Sequence, residues 1–178
     1  MRNNRTRIQR LCRYFQYLFF GWLVAIPIVH VCIWIWFNRL PSAMPQEISG
    51  MIQRPIAPGI LATAGIVSFV LSALQMAMVW MLIRLFRLYR NGKFFLAENV
   101  SCLWNISKLL LAQAIAKPVI KTLTIMILSL SNPPGQRMLS IGLDFADIST
   151  AITGGIVFVI AYVMEEGRKL QDEQTLTI

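Results

Sequence analysis

From Tyr14 to Phe37 the chain carries no Asp, Glu, Lys or Arg over 24 residues, and from Gly59 to Ile83 it carries none over 25. A helix needs only about 20 apolar residues to cross the hydrocarbon layer of a bilayer. No other feature restricts the fold as much. A backbone in lipid must satisfy its own hydrogen bonds, so runs of this kind are read as transmembrane helices. Two further runs fit the same reading less strongly. Leu109 to Leu130 is apolar except for Lys117 and Lys121, and Ile148 to Met164 is apolar over 17 residues, with Asp144 and Asp147 just before it.

Composition agrees. The 178 residues are 56% hydrophobic and only 14% charged, with a mean hydropathy of +0.59. A soluble domain is about 45–50% apolar and about 25% charged, and one small core cannot hold the excess. The expected fold is all-α, a single integral membrane bundle over residues 1–178, with spans at about 14–37, 59–83, 109–130 and 145–164. A loop at 84–108 and a tail at 165–178 complete it. The first run is longer than the ~7–15 residues of a signal-peptide core, and Pro41-Ser42-Ala43-Met44 makes a poor cleavage site, so it is read as a retained helix.

The net charge of +9 raises the question of nucleic acid. The positions of the charges argue against direct binding, because most flank the apolar runs; anionic lipid headgroups are the expected polyanion. Twelve Lys and Arg fall in the N-terminal arm, the 84–108 loop and the tail, against three in the two connections on the other side. The positive-inside rule then puts both termini and the middle loop in the cytoplasm.

Catalytic and metal signals are missing. Cys12, Cys32 and Cys102 show no CxxC or Cys/His spacing, and no nucleophile, P-loop or dinucleotide pattern occurs. The expectation is a non-enzyme with no cofactor and no metal. The lone histidine, His30, follows Pro27 inside the first span. It is expected to face a neighbouring helix or reach the interface, with a proton relay as the sharper alternative.

The stretch "RLFRLYRNGKFFLAENV" joins the second and third spans. The spacing carries the second helix past the membrane surface, with Arg84, Arg87 and Arg90 in the headgroup layer and their stems snorkelling. Asn91-Gly92 reads as a helix stop. Phe94 and Phe95 fit the interface, Glu98 suits the start of the next helix, and Trp104 suits re-entry. A positive loop on anionic lipid explains these charges. The same surface, with Arg84, Arg87, Tyr89, Arg90, Gly92, Phe95, Glu98 and Asn99, is the first candidate for protein docking.

Gln113, Lys117, Lys121 and Thr124 share one face of the third helix, and Asp144, Asp147 and Ala151 one face of the fourth. Two unpaired intramembrane lysines would cost roughly 5–7 kcal/mol, so they are expected to face the bundle. With Asn132-Pro133-Pro134-Gly135 as the turn, similar depths suggest a Lys121–Asp147 pair. Lys117, a turn deeper, would then need Asp144, a water or another helix. Both a register-fixing ion pair and a water-filled pocket for an ion or small ligand fit these residues. Pro118 removes the bond to the Ala114 carbonyl and is expected to kink the helix. Small residues at Ser68/Ser72, Ala73/Ala77, Ala112/Ala116 and Ala151/Gly155 offer close-packing seams, within one chain or in a homo-oligomer.

Glu165, Glu166, Asp172 and Glu173 are half of all the acids in the chain. The tail ends in an apolar, β-prone tetrad, Thr175 to Ile178. Asp172, Glu173, Leu176 and Ile178 form the second docking candidate.

Leu88, Tyr89, Gly92, Phe95, Glu98 and Asn99 form a pattern opening the third span. Gly167, Leu170, Asp172, Glu173 and the closing Leu176-Thr177-Ile178 form another. Together they resemble a bacterial family of small four-span membrane proteins catalogued as domain of unknown function 2975. The resemblance covers the second through fourth spans; the first span and outer loop match only in length and hydrophobicity. Where the family pattern has Ser or Thr after the Phe, this chain has Leu96, so a different cap is expected for the third helix. The resemblance implies a multi-pass protein of the bacterial cytoplasmic membrane, often encoded beside a small helix-turn-helix DNA-binding protein. The resulting expectation is a membrane-embedded regulator that binds or sequesters that partner. The alternative is a small transporter, or a subunit of one, using the Lys/Asp pocket.

Overall fold

The computed structural model describes residues 2–39, 52, 54–91, 96–133, 135–137 and 139–176; side chains are described from Arg10 to Leu170 within those limits and at Glu173. Four long helices make up nearly all of it: α1 (Arg2–Ile35), α2 (Pro58–Arg90), α3 (Ala97–Leu128) and α4 (Phe145–Leu176). A 3-10 turn, Ser129–Ser131, extends α3. All four are long and apolar enough to cross a membrane, and the chain is a multi-pass membrane protein.

Local chemistry explains where the helices begin and end. Pro58 opens α2 after Ala57 in extended conformation, a position where its missing N–H costs nothing. Asn91 closes α2, its N–H reaching the carbonyls of Arg87 and Leu88, while Arg87 and Arg90 lie in the last turn and complement the dipole. Leu96 precedes α3 with no side-chain cap; the Asn99 N–H instead reaches the Leu96 carbonyl at 2.9 Å. At α4, Asp147 Oδ2 accepts the Asp144 N–H at 3.1 Å and the Asp147 N–H reaches the Asp144 carbonyl at 2.9 Å. The first of these bonds is the N3 half of a capping box, with Asp147 in the place of Glu; the Asp144 carboxylate is left for another partner.

Each helix packs antiparallel on the next, α1 on α2, α2 on α3 and α3 on α4. The start of α1, the end of α2, the start of α3 and the end of α4 therefore share one end. Arg90 donates to Gln16 there at 2.9 Å, and Trp104 Nε1 donates to Glu165 at 3.0 Å. Eleven of the twelve basic residues counted above belong to helix segments at this end, Lys93 lying outside the described residues, and it is called the basic end below. Leu85, Leu88, Cys102 and Ile106 form its apolar core. At the opposite end, Phe37, Ile52, Ile56, Ala64, Ile125 and Leu128 close over the bundle. Asn38 pins that plug, its amide donating to the Ile56 carbonyl and its oxygen accepting the Ile56 N–H, both at 3.1 Å.

The tightest helix approach is at Gly154. A Cβ there would stand 3.1 Å from Leu110 Cβ and from Leu111 Cγ, whereas one at Gly155 would meet nothing within 4 Å. The buried residues Asp147, Gly154 and Ala161 recur at the heptad interval of a helix seam. Gly154 rather than Gly155 thus meets α3, with Ala151 on the same stripe between Asp147 and Gly154. Ser72 faces α1, its hydroxyl 2.9 Å from His30 Nδ1.

Within the 84–108 loop, α2 runs to Arg90 and α3 starts at Ala97, with the helix stop at Asn91 and Glu98 in the first turn of α3. The tail is helical through Leu176, which corrects the β-prone reading at Thr175 and Leu176. Helix propagation needs one bond per added residue, and α4 is already formed when the chain reaches them.

Candidate functional site: an intramembrane ion-pair ladder and a charged platform

Lys117, Lys121, Asp144 and Asp147 come together, but not in the expected pairing. Lys117 Nζ lies 2.9 Å from Asp147 Oδ1, and Lys121 Nζ lies 2.9 Å from Asp144 Oδ2. The two pairs form a ladder between α3 and α4. The reason lies in the connection. Gln136 donates to the Pro133 carbonyl at 3.1 Å, with Gly135 at φ +95°, a conformation that suits glycine. The chain then descends beside α3 without helix, and Thr122 reaches the Ser140 carbonyl at 3.2 Å. Extended chain covers about 3.3 Å per residue against 1.5 Å in a helix. The start of α4 is therefore already at the depth of Lys121, and Asp147 reaches Lys117 one turn further in.

The rungs differ in environment. Asp147 is 2% exposed and Lys117 37%; Asp144 is 51% exposed and Lys121 29%. Asp147 is held from two sides, by the lysine on Oδ1 and the Asp144 N–H on Oδ2. The inner rung joins a buried carboxylate to a part-exposed lysine, and in the outer rung it is the carboxylate that is half exposed.

His30 faces α2. Its Nε2 lies 3.1 Å from the Gly65 carbonyl and its Nδ1 lies 2.9 Å from Ser72 Oγ. A carbonyl only accepts, so Nε2 donates to Gly65, while the Ser72 hydroxyl can serve Nδ1 as donor or as acceptor. Phe69 stands edge-on at 5.4 Å. Beside the ring a cleft of about 340 Å³ opens between α1, α2 and α3, lined by His30, Ser68, Lys117, Lys121 and Thr124 among apolar side chains. Sequence reasoning did not connect His30 with the lysines, because helix pairing alone brings them to one cleft.

At the basic end Arg84 and Arg87 are exposed, and Glu98 is exposed near them. They line a groove of about 360 Å³ with Trp80, Ile83, Leu88 and Asn91. Arg90 is held by Gln16. Tyr89 packs against the Leu85–Cys102 cluster. Asn99 is 0% exposed, which removes it from the docking surface: it sits in the first turn of α3, on the face turned toward the bundle. Gly92, Phe95 and Ile178 lie outside the described residues, as do the side chains of Asp172 and Leu176; Glu173 is exposed. Within the tail, Glu165 accepts from Trp104 and Glu166 pairs with Lys169 at 2.9 Å.

Among the described residues, no group of three His, Cys, Asp or Glu side chains is placed to hold a metal ion. No curated protein and no solved structure matches the chain. A family match runs over residues 12–178, so it takes in the first span and outer connection as well as the later helices on which the resemblance rested. The chain belongs to the family described as "Protein of unknown function (DUF2975)".

Proposed function

We propose that the protein is a non-enzymatic regulator of the bacterial cytoplasmic membrane, whose basic end holds a cytoplasmic partner. One observation carries this reading: the helices overrun their apolar segments at one end only. Beyond those segments α1 continues over 2–13, α2 over 84–90, α3 over 97–108 and α4 over 165–176. At 1.5 Å per residue these extensions are about 10–18 Å long. At the opposite end the helices stop where the apolar residues stop. The result is a helical platform outside the bilayer, locked by Arg90–Gln16 and Trp104–Glu165, with Arg84, Arg87, Glu98 and Glu173 on its surface. The partner class implied by the family resemblance is a small helix-turn-helix DNA-binding protein. The docking elements are the α2 end and the α4 end.

The platform must face the cytoplasm for this reading to hold. In a cysteine-free background, a cysteine at Arg137 is expected to react with an impermeant thiol reagent in intact cells. One at Glu173 is expected to react only after permeabilisation. Labelling of position 173 from outside would invert the orientation and remove the proposal.

Recruitment tests the function itself. Removing residues 171–178 should leave insertion intact but release the tagged neighbour-encoded protein from the membrane fraction. Arg84→Glu with Arg87→Glu tests the α2 groove in the same assay. Equal membrane recovery with full-length protein and with both variants would eliminate the platform as a docking surface.

A second reading, transport or ligand sensing, has its own support in the His30/Lys117/Lys121 cleft of about 340 Å³. That volume is at the small end for ligand pockets.

A further inference from the structure

The basic end contains a second concavity with different chemistry. Between α3 and α4 lies a groove of about 460 Å³ lined by Ser101, Trp104, Asn105, Lys108, Glu165 and Arg168. Its depth follows from the sequence. Lys108 is the last charge before the apolar run of α3, and Glu165 the first after that of α4. The groove therefore lies at the boundary between hydrocarbon and headgroups, where tryptophan also concentrates.

We propose that this groove binds the headgroup of an anionic phospholipid, with Lys108 and Arg168 on the phosphate and Ser101 and Asn105 on the polar substituent.

The spacing on α3 places Ser101, Asn105 and Lys108 along one face, toward the α4 residues that close the groove. Lys108 is exposed and has no ion pair among the described residues, so its three donors point to an outside acceptor. Arg168 is four residues beyond the end of the apolar run and adds a planar donor suited to phosphate oxygens. Trp104 turns edge-on to Phe158 at 4.5 Å and donates its N–H to Glu165, which fixes the wall and occupies the one acid there. The Lys108 ammonium beside a carboxylate already bonded to Trp104 suits a phosphodiester whose headgroup adds no cation of its own. Below the groove the wall continues in apolar side chains, with Phe158 against the Trp104 ring. Basic pockets between helices at the cytoplasmic interface are a recognised form of lipid site. The inference goes beyond the docking role and does not depend on it.

The test uses purified full-length protein in a neutral detergent, with short-chain phosphatidylglycerol, short-chain phosphatidylcholine and inorganic phosphate as separate probes. Bound lipid is counted by native mass spectrometry, and affinity is read from Trp fluorescence. Phosphatidylglycerol is expected to bind at one site, with phosphatidylcholine and phosphate at least tenfold weaker. Lys108→Gln should weaken phosphatidylglycerol about tenfold, as expected for a lost charge-assisted hydrogen bond, and adding Arg168→Gln should weaken it further. Arg137→Gln, which removes an exposed charge at the opposite end of the bundle, should leave binding unchanged. Lys108 is exposed, so the single variant remains informative even where the double variant folds poorly. Unchanged binding in Lys108→Gln would overturn the assignment, as would an equal loss in Arg137→Gln. Equal binding of inorganic phosphate would replace the lipid with a soluble anion and also defeat it.

Discussion

Replacing Lys117 with Met is expected to destabilise the protein by about 3 kcal/mol, the low end of the range for breaking a buried ion pair. The cost comes from what remains. Asp147 is 2% exposed, and without its lysine it must stay charged in a poor solvent or take up a proton. The low end applies because the lysine itself is 37% exposed, so part of the pair's energy is already screened. Asp147→Asn removes the charge but keeps an oxygen for the Asp144 N–H, so Lys117→Met with Asp147→Asn should recover most of the loss. On the outer rung Asp144 is 51% exposed, and the Lys121–Asp144 coupling should be about 1 kcal/mol or less. Reversible unfolding in detergent, run as two double-mutant cycles, measures both. Additive losses for Lys117 and Asp147 would mean that the inner rung contributes no coupling.

Gly154→Leu should be nearly as damaging, and Gly155→Leu should not be. At Gly154 even a Cβ meets Leu110 and Leu111 at 3.1 Å, and a larger side chain has to force α3 and α4 apart. Overpacking of this kind costs about 1–3 kcal/mol. The separation would also pull Asp147 from Lys117, two turns away along α4, and add part of the inner rung's loss. At Gly155 the added atoms enter open space, where lipid accepts a leucine readily. The same unfolding assay should place Gly155→Leu within about 0.5 kcal/mol of the native protein. Equal losses at both positions would argue that the α3–α4 register differs from the one described.

These two contrasts mark the boundary between what one dimension encodes and what three decide. The all-α membrane fold was legible because length and absence of charge are local properties: 24 and 25 uncharged residues at Tyr14–Phe37 and Gly59–Ile83 leave a bilayer helix as the natural outcome. The inward direction of Lys117 and Lys121 was legible too, since desolvation penalises any other placement. Which carboxylate each lysine meets was not. That depends on how far the chain descends between Gly135 and Asp144, and extended residues descend about twice as fast as helical ones. The inner seam at Gly154 rather than Gly155 follows from the same fact, because the rung at Asp147 sets the rotation of α4. The sequence places Asn99 on the docking surface with its neighbours in the connection, yet the rotation of α3 buries it completely. Likewise His30 and the lysines meet at one cleft only because α1, α2 and α3 pack at one depth. Hydrophobic length determined that the chain crosses the membrane; the rotation and axial offset of each helix, set by packing, determined which polar groups meet there.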